Sequence, residues 1–241
     1  MDIFNRTRLL TGDELMQAIS STRVIVFGVG GVGSWCAESL IRSGIGYLTI
    51  VDPDKVTESN INRQLMATTS TVGELKVKAF KKRLLDINPE AIIETRQDAF
   101  SEKTTDSFKL SAYDYVVDAI DQLRDKALLI KKACETSATL FSSMGAAMKI
   151  DPTRIAVDEF WKVKGCPLGA TLRRHFRAQG IKPAKKFLCV YSPELLHNRG
   201  TTQETCNYKI CVNGSLSHIT GIFGLTLAGL IMQDICQLHE R

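Results

Sequence analysis

The sequence has no C-x-x-C pair, although seven cysteines (Cys36, Cys134, Cys166, Cys189, Cys206, Cys211 and Cys236) are scattered along its 241 residues. A tetrahedral zinc site wants two close pairs of soft ligands, so no zinc is expected. An odd, dispersed set also argues against a disulfide framework and for small buried thiols in a reducing compartment. The opening residues, MDIFNRTRLL, lack the apolar core of a signal peptide. Low-complexity tracts, internal repeats and linkers are missing too. The uncharged apolar stretch near the C-terminus, Ile219 to Met232, falls short of the roughly 18–20 residues that a bilayer span needs. These absences predict a cytoplasmic protein without a membrane span, folded as one domain over 1–241. Residues 215–238 are expected as a buried helix whose glycine and alanine spacings suit close packing, including at a subunit interface.

Acidic residues are missing from one more place. Between Phe160 and Pro193 there is no Asp or Glu, while Lys162, Lys164, Arg173, Arg174, Arg177, Lys182, Lys185 and Lys186 all fall there. A solubilising face usually mixes signs. A stretch of one sign points to a polyanionic partner, most simply nucleic acid.

What is present reads as an α/β fold. RVIVF feeds a glycine-rich turn, SWCAESLIRSG is an amphipathic helix, and YLTIVD is a second buried strand; that is a βαβ unit. A helix from Lys76 to Ile87 follows, then parallel strands at AIIET and YVVDAI with a helix after the latter. From AAMKI and RIAVDEF onward short alternating strands are expected as antiparallel additions. A helix near Leu168 to Ala178 and a strand at KFLCVYS complete a Rossmann-like sheet, parallel at its N-terminal side, with helices on both faces.

GVGGVG, Gly28 to Gly33, places Gly28, Gly30, Gly31 and Gly33 between a strand and a helix. Such glycines let the backbone approach a nucleotide, and the helix N-terminus offers unpaired N–H groups to phosphate. Asp52 closes the second strand, placed to accept hydrogen bonds from ribose hydroxyls. Alone this says adenine nucleotide, most often NAD. The stretch SNINRQLMATTSTVGELK then adds Asn60, Asn62, Arg63, Gln64 and Lys76. Hydride transfer needs no cations converging on phosphate, because the pyrophosphate of NAD stays whole. Attack on the α-phosphate of ATP does need them, since charge builds on non-bridging oxygens and on departing pyrophosphate. Arg63 supplies a planar grip and Lys76 a point charge; the neutral amides orient phosphate or sugar. Asp121, just past the end of the YVVD strand, suits a hydrated Mg²⁺ bridging phosphate oxygens. Each has a plainer alternative: Arg63 and Gln64 as loop braces, Lys76 as a solvated cation, Asp121 as a helix N-cap.

VFGVGGVGSWCAESLIRSGIG, LTIVDPDKV, SNINRQ, TVGELKVKAFKKRLLDINP and VVDAIDQLRDK resemble the adenylating core of the ubiquitin-activating-like (E1-like) superfamily. MGAAMKIDPTRIAVDEF, CPLGATLRRHFRAQGI, CVYSPE and GSLSHITGIFGLTLAGLI look like its tRNA threonylcarbamoyladenosine dehydratase branch. The resemblance implies that Arg63 and Lys76 contact ATP phosphates and that Asp121 lies at the metal and α-phosphate. It further implies that Arg6, in FNRT, reaches the ATP of a partner subunit, so that a homodimer carries composite sites; Arg8 is the alternative for that role. The cofactors implied are ATP and Mg²⁺, and the substrate is threonylcarbamoylated tRNA. The segment 155–200 would face that tRNA through Arg173, Arg174, Arg177, Lys182, Lys185 and Lys186. The reaction implied is carboxylate adenylation followed by ring closure from the neighbouring carbamoyl group, which needs no enzyme nucleophile. Cys189 and Cys211 are therefore read as structural. A catalytic thiol would instead point to sulfur relay with a sulfur-transfer partner. The rival readings are an activator of a ubiquitin-like sulfur carrier, a Rossmann oxidoreductase, and a catalytically silent nucleotide-binding partner.

Overall fold

Runs such as RVIVF and YVVD are apolar at successive positions, which suits strands covered by helices on both sides. The computed structural model describes residues 2–200 and 213–239. Its strands are β1 (Arg23–Phe27), β2 (Tyr47–Val51), β3 (Ile92–Arg96), β4 (Tyr115–Asp118), β5 (Thr139–Ser143), β6 (Ala156–Glu159) and β7 (Leu188–Tyr191). They form one sheet in the order β3-β2-β1-β4-β5-β7-β6. All neighbours are parallel except β6 and β7. The antiparallel addition is thus a single edge pair, because β7 itself runs parallel to β5.

Side-chain alternation along the central strands feeds two cores. Val24, Val26, Leu48, Ile50 and Val117 face one core with α2 (Gly33–Ser43), α3 (Lys76–Ile87) and α6 (Ser217–His239). Ile25, Phe27, Val51 and Val116 face the other, with α4 (Leu123–Cys134) and α5 (Pro167–Ala178). Helices therefore cover both faces, as the sequence predicts.

α6 is long and apolar enough to cross a membrane by length and composition. It is instead a core helix: Ile219, Phe223, Leu227 and Ile231 are buried, and Asp234 accepts a 2.9 Å hydrogen bond from the Tyr115 hydroxyl. Its opposite side leaves Leu225 47% exposed.

Two expectations change. AAMKI forms no strand. Met148 sits at φ 63°, and Glu194 Oε2 accepts from the N–H groups of both Ile150 and Asp151 at 2.9 Å. A carboxylate thus takes donors that a ladder would have used. The second change is an added helix, α1 (Asn5–Ser21), broken at Gly12 where φ is 77°. Leu9 and Leu10 are 79% and 88% exposed, so its first half presents no apolar stripe toward the core for a sequence reading to find.

Candidate active site

Strand register brings the site together. Phe27 pairs with Val51 on one side and with Asp118 on the other, so the residues that follow emerge at one edge: Gly28, Asp52 and Ala119. The chain winds outward from β1 to β2 and β3, and in the opposite direction through β4 and β5. A crevice opens at such a switch point, beyond the carboxyl ends of the strands.

The glycine turn is fitted closely into that crevice. Gly28 has φ 83°, and a Cβ on it would stand 2.7 Å from the Ala119 carbonyl oxygen. A Cβ on Gly33 would stand 1.8 Å from the Gly28 oxygen. Only glycine permits either approach, and the result is a bare backbone cradle at the start of α2, where phosphate is favoured.

Asp52 is buried at the end of β2. Its Oδ2 accepts from the Val29 N–H at 2.9 Å and its Oδ1 from the Asp54 N–H at 3.0 Å. Burial pushes its pKa up, and Lys76 pulls it partly back. Lys76 opens α3 and is 6% exposed; its Nζ lies 2.8 Å from Asp54 Oδ2 and 3.6 Å from Asp52 Oδ1. The solvated alternative for Lys76 does not hold.

Arg63 packs its stem over the glycine turn, with Cγ 3.2 Å from where a Cβ of residue 31 would be. Its Nη1 donates to the Ser59 carbonyl and to Asn62 Oδ1, both at 2.8 Å. Asn62 Nδ2 donates to the Ser215 carbonyl at 3.0 Å. Asn60 accepts from the Thr57 N–H at 3.2 Å, closing a capping box. These two asparagines brace the loop. Gln64 is different: among the described residues its Oε1 is the one buried side-chain polar atom without a hydrogen-bond partner. Its amide nitrogen lies 3.8 Å from the Cβ position of residue 30. A buried acceptor without a donor, next to the glycine turn, fits a ribose hydroxyl or an amino group of a nucleotide base.

Asp121 stands exposed in the short loop before α4. It is not the N-cap: that position belongs to Gln122, whose side chain makes no capping bond. Among the described residues no three His, Cys, Asp or Glu side chains gather closely enough to hold a metal by themselves. A single carboxylate beside a phosphate site still fits Mg²⁺, which keeps most of its waters and takes its other ligands from phosphate.

Beneath Asp121 lies a group that sequence reasoning missed. Asp118 and Lys126 are both fully buried and paired at 2.7 Å. Ser142 donates to Asp118 Oδ2 at 2.6 Å, the Ile120 N–H donates to Oδ1 at 3.2 Å, and Lys126 Nζ donates to the Ile120 carbonyl at 2.9 Å. The loop 119–121 is thereby fixed from below. The signal was a lysine placed on the apolar face of α4, in step with Leu129, Ile130 and Ala133.

The remaining expected residues divide. Arg6 is exposed on α1. Its neighbours Phe4 and Arg8 line a cleft with Gly46, Tyr47 and Ile92, at the opposite ends of β2 and β3 from the glycine turn. One chain does not bring Arg6 to this site. Arg8 is engaged by Asp2 and Asp13 at 3.1 and 2.7 Å. In the basic segment, Arg174, Arg177, Lys182 and Lys186 are exposed, and Arg177 lies over the Trp161 ring at 5.5 Å. Arg173 donates to the Phe160 carbonyl at 3.2 Å. Lys185 donates to the carbonyls of Thr136 and Ala138, so its ammonium braces the turn before β5. Cys189 is fully buried, and burial pushes its thiol pKa well up, as befits a structural cysteine. Cys206 and Cys211 lie outside the described residues.

The ThiF family model matches residues 4–241. This chain belongs to the ThiF family. Within that family it is 34% identical over 238 residues to the tRNA threonylcarbamoyladenosine dehydratase of Bacillus subtilis, spanning 96% of this chain and 94% of that protein. Among solved structures, the Escherichia coli tRNA N6-threonylcarbamoyladenosine dehydratase in complex with AMP superposes with a TM-score of 0.88 at 31% identity, covering 99% of this chain and 96% of that one. The same enzyme in complex with ATP gives 0.88 as well. The molybdopterin-synthase adenylyltransferase of Escherichia coli is 30% identical, but over 61% of this ThiF-family chain.

Proposed function

We propose that this protein catalyses ATP-dependent dehydration of threonylcarbamoyladenosine in tRNA to its cyclic form, through an acyl adenylate. The observation that carries the reading is resemblance to the dehydratases from end to end, in a chain where Arg63 packs over the glycine turn and Lys76 lies against Asp52, which accepts from Val29 of that turn. A threonyl carboxylate oxygen attacks the α-phosphorus, the bond to the β-phosphate breaks, and pyrophosphate leaves. Arg63 and Lys76 stabilise the charge gathered on the non-bridging and departing oxygens. The carbamoyl group then attacks the activated carbonyl, loses a proton and expels AMP, which carries away the oxygen of the lost water. That second step joins groups on one side chain, so effective molarity drives it without an enzyme nucleophile. Asp121 would hold Mg²⁺, which supplies charge neutralisation at the phosphates.

The residues support a homodimer in which Arg6 acts across the interface: it is remote from its own site, and the exposed Leu9, Leu10 and Leu225 offer apolar surface to a partner. Free, buried Cys36, Cys134, Cys166 and Cys189 suit the reducing cytoplasm.

The direct test is nucleoside mass spectrometry on threonylcarbamoylated tRNA after incubation with the protein, Mg²⁺ and ATP. Loss of one water that depends on ATP is the expected result. An unchanged mass, with ATP still consumed, would move the search to the carboxylate of a sulfur-carrier protein. The tRNA surface has its own test. Replacing Arg174 and Arg177 by glutamine is expected to weaken tRNA binding and to flatten its log–log salt slope by about one unit per lost phosphate contact. An unchanged slope would leave those arginines as ordinary surface charges.

A further inference from the structure

Two consecutive residues in the first turn of α2 reach across to the arginine loop. Ser34 Oγ accepts from the Leu65 N–H at 3.4 Å, and the Trp35 indole N–H donates to the Arg63 carbonyl at 3.2 Å. The rest of the Trp35 side chain is clamped by α6. A Cβ on Gly221 would lie 3.5 Å from its ring, and one on Gly224 would lie 2.7 Å from the Trp35 Cβ. Thr220 of α6 also meets the glycine turn, 3.2 Å from the Cβ position of residue 31, the same place that the Arg63 stem touches. The helix that receives phosphate, the loop that carries Arg63 and the C-terminal helix therefore meet at one indole.

We propose that Trp35 is a positioning residue of the adenylation site. Its ring nitrogen fixes the Arg63 peptide relative to the glycine cradle, and its ring transmits the placement of α6 to that peptide. Catalytic charge must be held in place before the reaction, since reorganisation during it is costly. A bond from the phosphate-binding helix to the arginine backbone does this, because cradle and guanidinium then share one frame. Phenylalanine keeps an aromatic ring beside Gly221 and Gly224 and removes the donor together with part of the indole's bulk, which is why the double variant is compared as well.

This inference rests on the reading of function above. Trp35→Phe, Arg63→Ala and the double variant would be compared in single-turnover dehydration of threonylcarbamoylated tRNA. Trp35→Phe is expected to slow turnover roughly three- to tenfold, the scale of one hydrogen bond, with KM for tRNA unchanged. In the Arg63→Ala background it is expected to add nothing, because a residue that acts through Arg63 has nothing left to position. A wild-type rate in Trp35→Phe, or losses that multiply in the double variant, would overturn the proposal.

A second measurement covers a variant that fails to fold and a wild-type chain inactive on this tRNA. The sequence has two tryptophans, so in Trp161→Phe the emission belongs to Trp35 alone. ATP is expected to change that emission, and Arg63→Ala to abolish the change; an emission indifferent to ATP, with ATP binding shown by calorimetry, would overturn the proposal. This titration needs only ATP, so it tests the link between Trp35 and the arginine loop even if the tRNA proves not to be the substrate.

Discussion

Alanine in place of Arg63 or Lys76 is expected to lower turnover about a hundred- to a thousandfold, the loss seen when one transition-state donor is removed. The two variants should differ in character. Arg63 is held by the Ser59 carbonyl and Asn62 Oδ1, and both acceptors sit in a partly exposed loop that water can serve once the guanidinium is gone. Its removal is expected to strike kcat and leave the melting temperature near that of the parent. Lys76 is buried against Asp52 and Asp54. Its removal takes the nearest cation from a buried carboxylate whose ionisation burial already disfavours, so Lys76→Ala is expected to lose stability as well as rate. Single-turnover AMP formation and thermal unfolding, measured together, separate the two effects. Near-normal turnover in both variants would remove these residues from the chemistry.

The second large effect is on stability. Lys126→Met leaves Asp118 fully buried with its cation gone, and such half-broken buried pairs cost about 3–5 kcal/mol. For a chain of this length each kcal/mol lowers the melting temperature by roughly 2–4 °C. Adding Asp118→Asn should return much of the loss, because the amide oxygen still accepts from the Ile120 N–H and its NH2 can donate to the Ser142 hydroxyl, which turns to accept, without a stranded charge. A single variant as stable as the parent, or a double variant worse than the single, would show that the pair is not what holds the loop. Because Lys126 also holds the Ile120 carbonyl, the single variant should in addition loosen Asp121.

Much of this was legible in the residues, and the failures have physical causes. The β1–α2–β2 unit and α3 were plain because periodicity, glycine punctuation and apolar runs agreed there. α3 begins at Lys76 and ends at Ile87, as the sequence predicts. Strand register, a property of the pattern, sets the glycine turn beside Asp52, whereas Arg63 and Lys76 are held by loop and side-chain contacts that no pattern contains. AAMKI misled because a distant carboxylate, Glu194, binds its backbone; no local rule contains that. Lys185 was expected at the tRNA surface because a run of one sign does not show which lysine is swallowed by the fold. Lys126 was passed over although its place in step with Leu129, Ile130 and Ala133 marked it. The identity of the acceptor was legible only by resemblance, since the atoms that handle ATP are indifferent to the carboxylate beyond it.

β1 lies at the centre of the sheet but near the start of the chain. The N–H of Arg23, its first residue, donates to a carboxylate oxygen of Asp114, 91 residues farther on. During synthesis at about 5–20 residues per second, the edge of β1 that will receive β4 stands open for roughly 5–18 s. In that interval β1, α2 and β2 have been made, and the glycine turn with them. The wall that closes on that turn, at Ala119, has not. The nascent half cannot borrow stability from nucleotide, because its cradle lacks one side until β4 docks. Until β4 arrives, that side of β1 is an open strand edge of the kind that pairs with other chains.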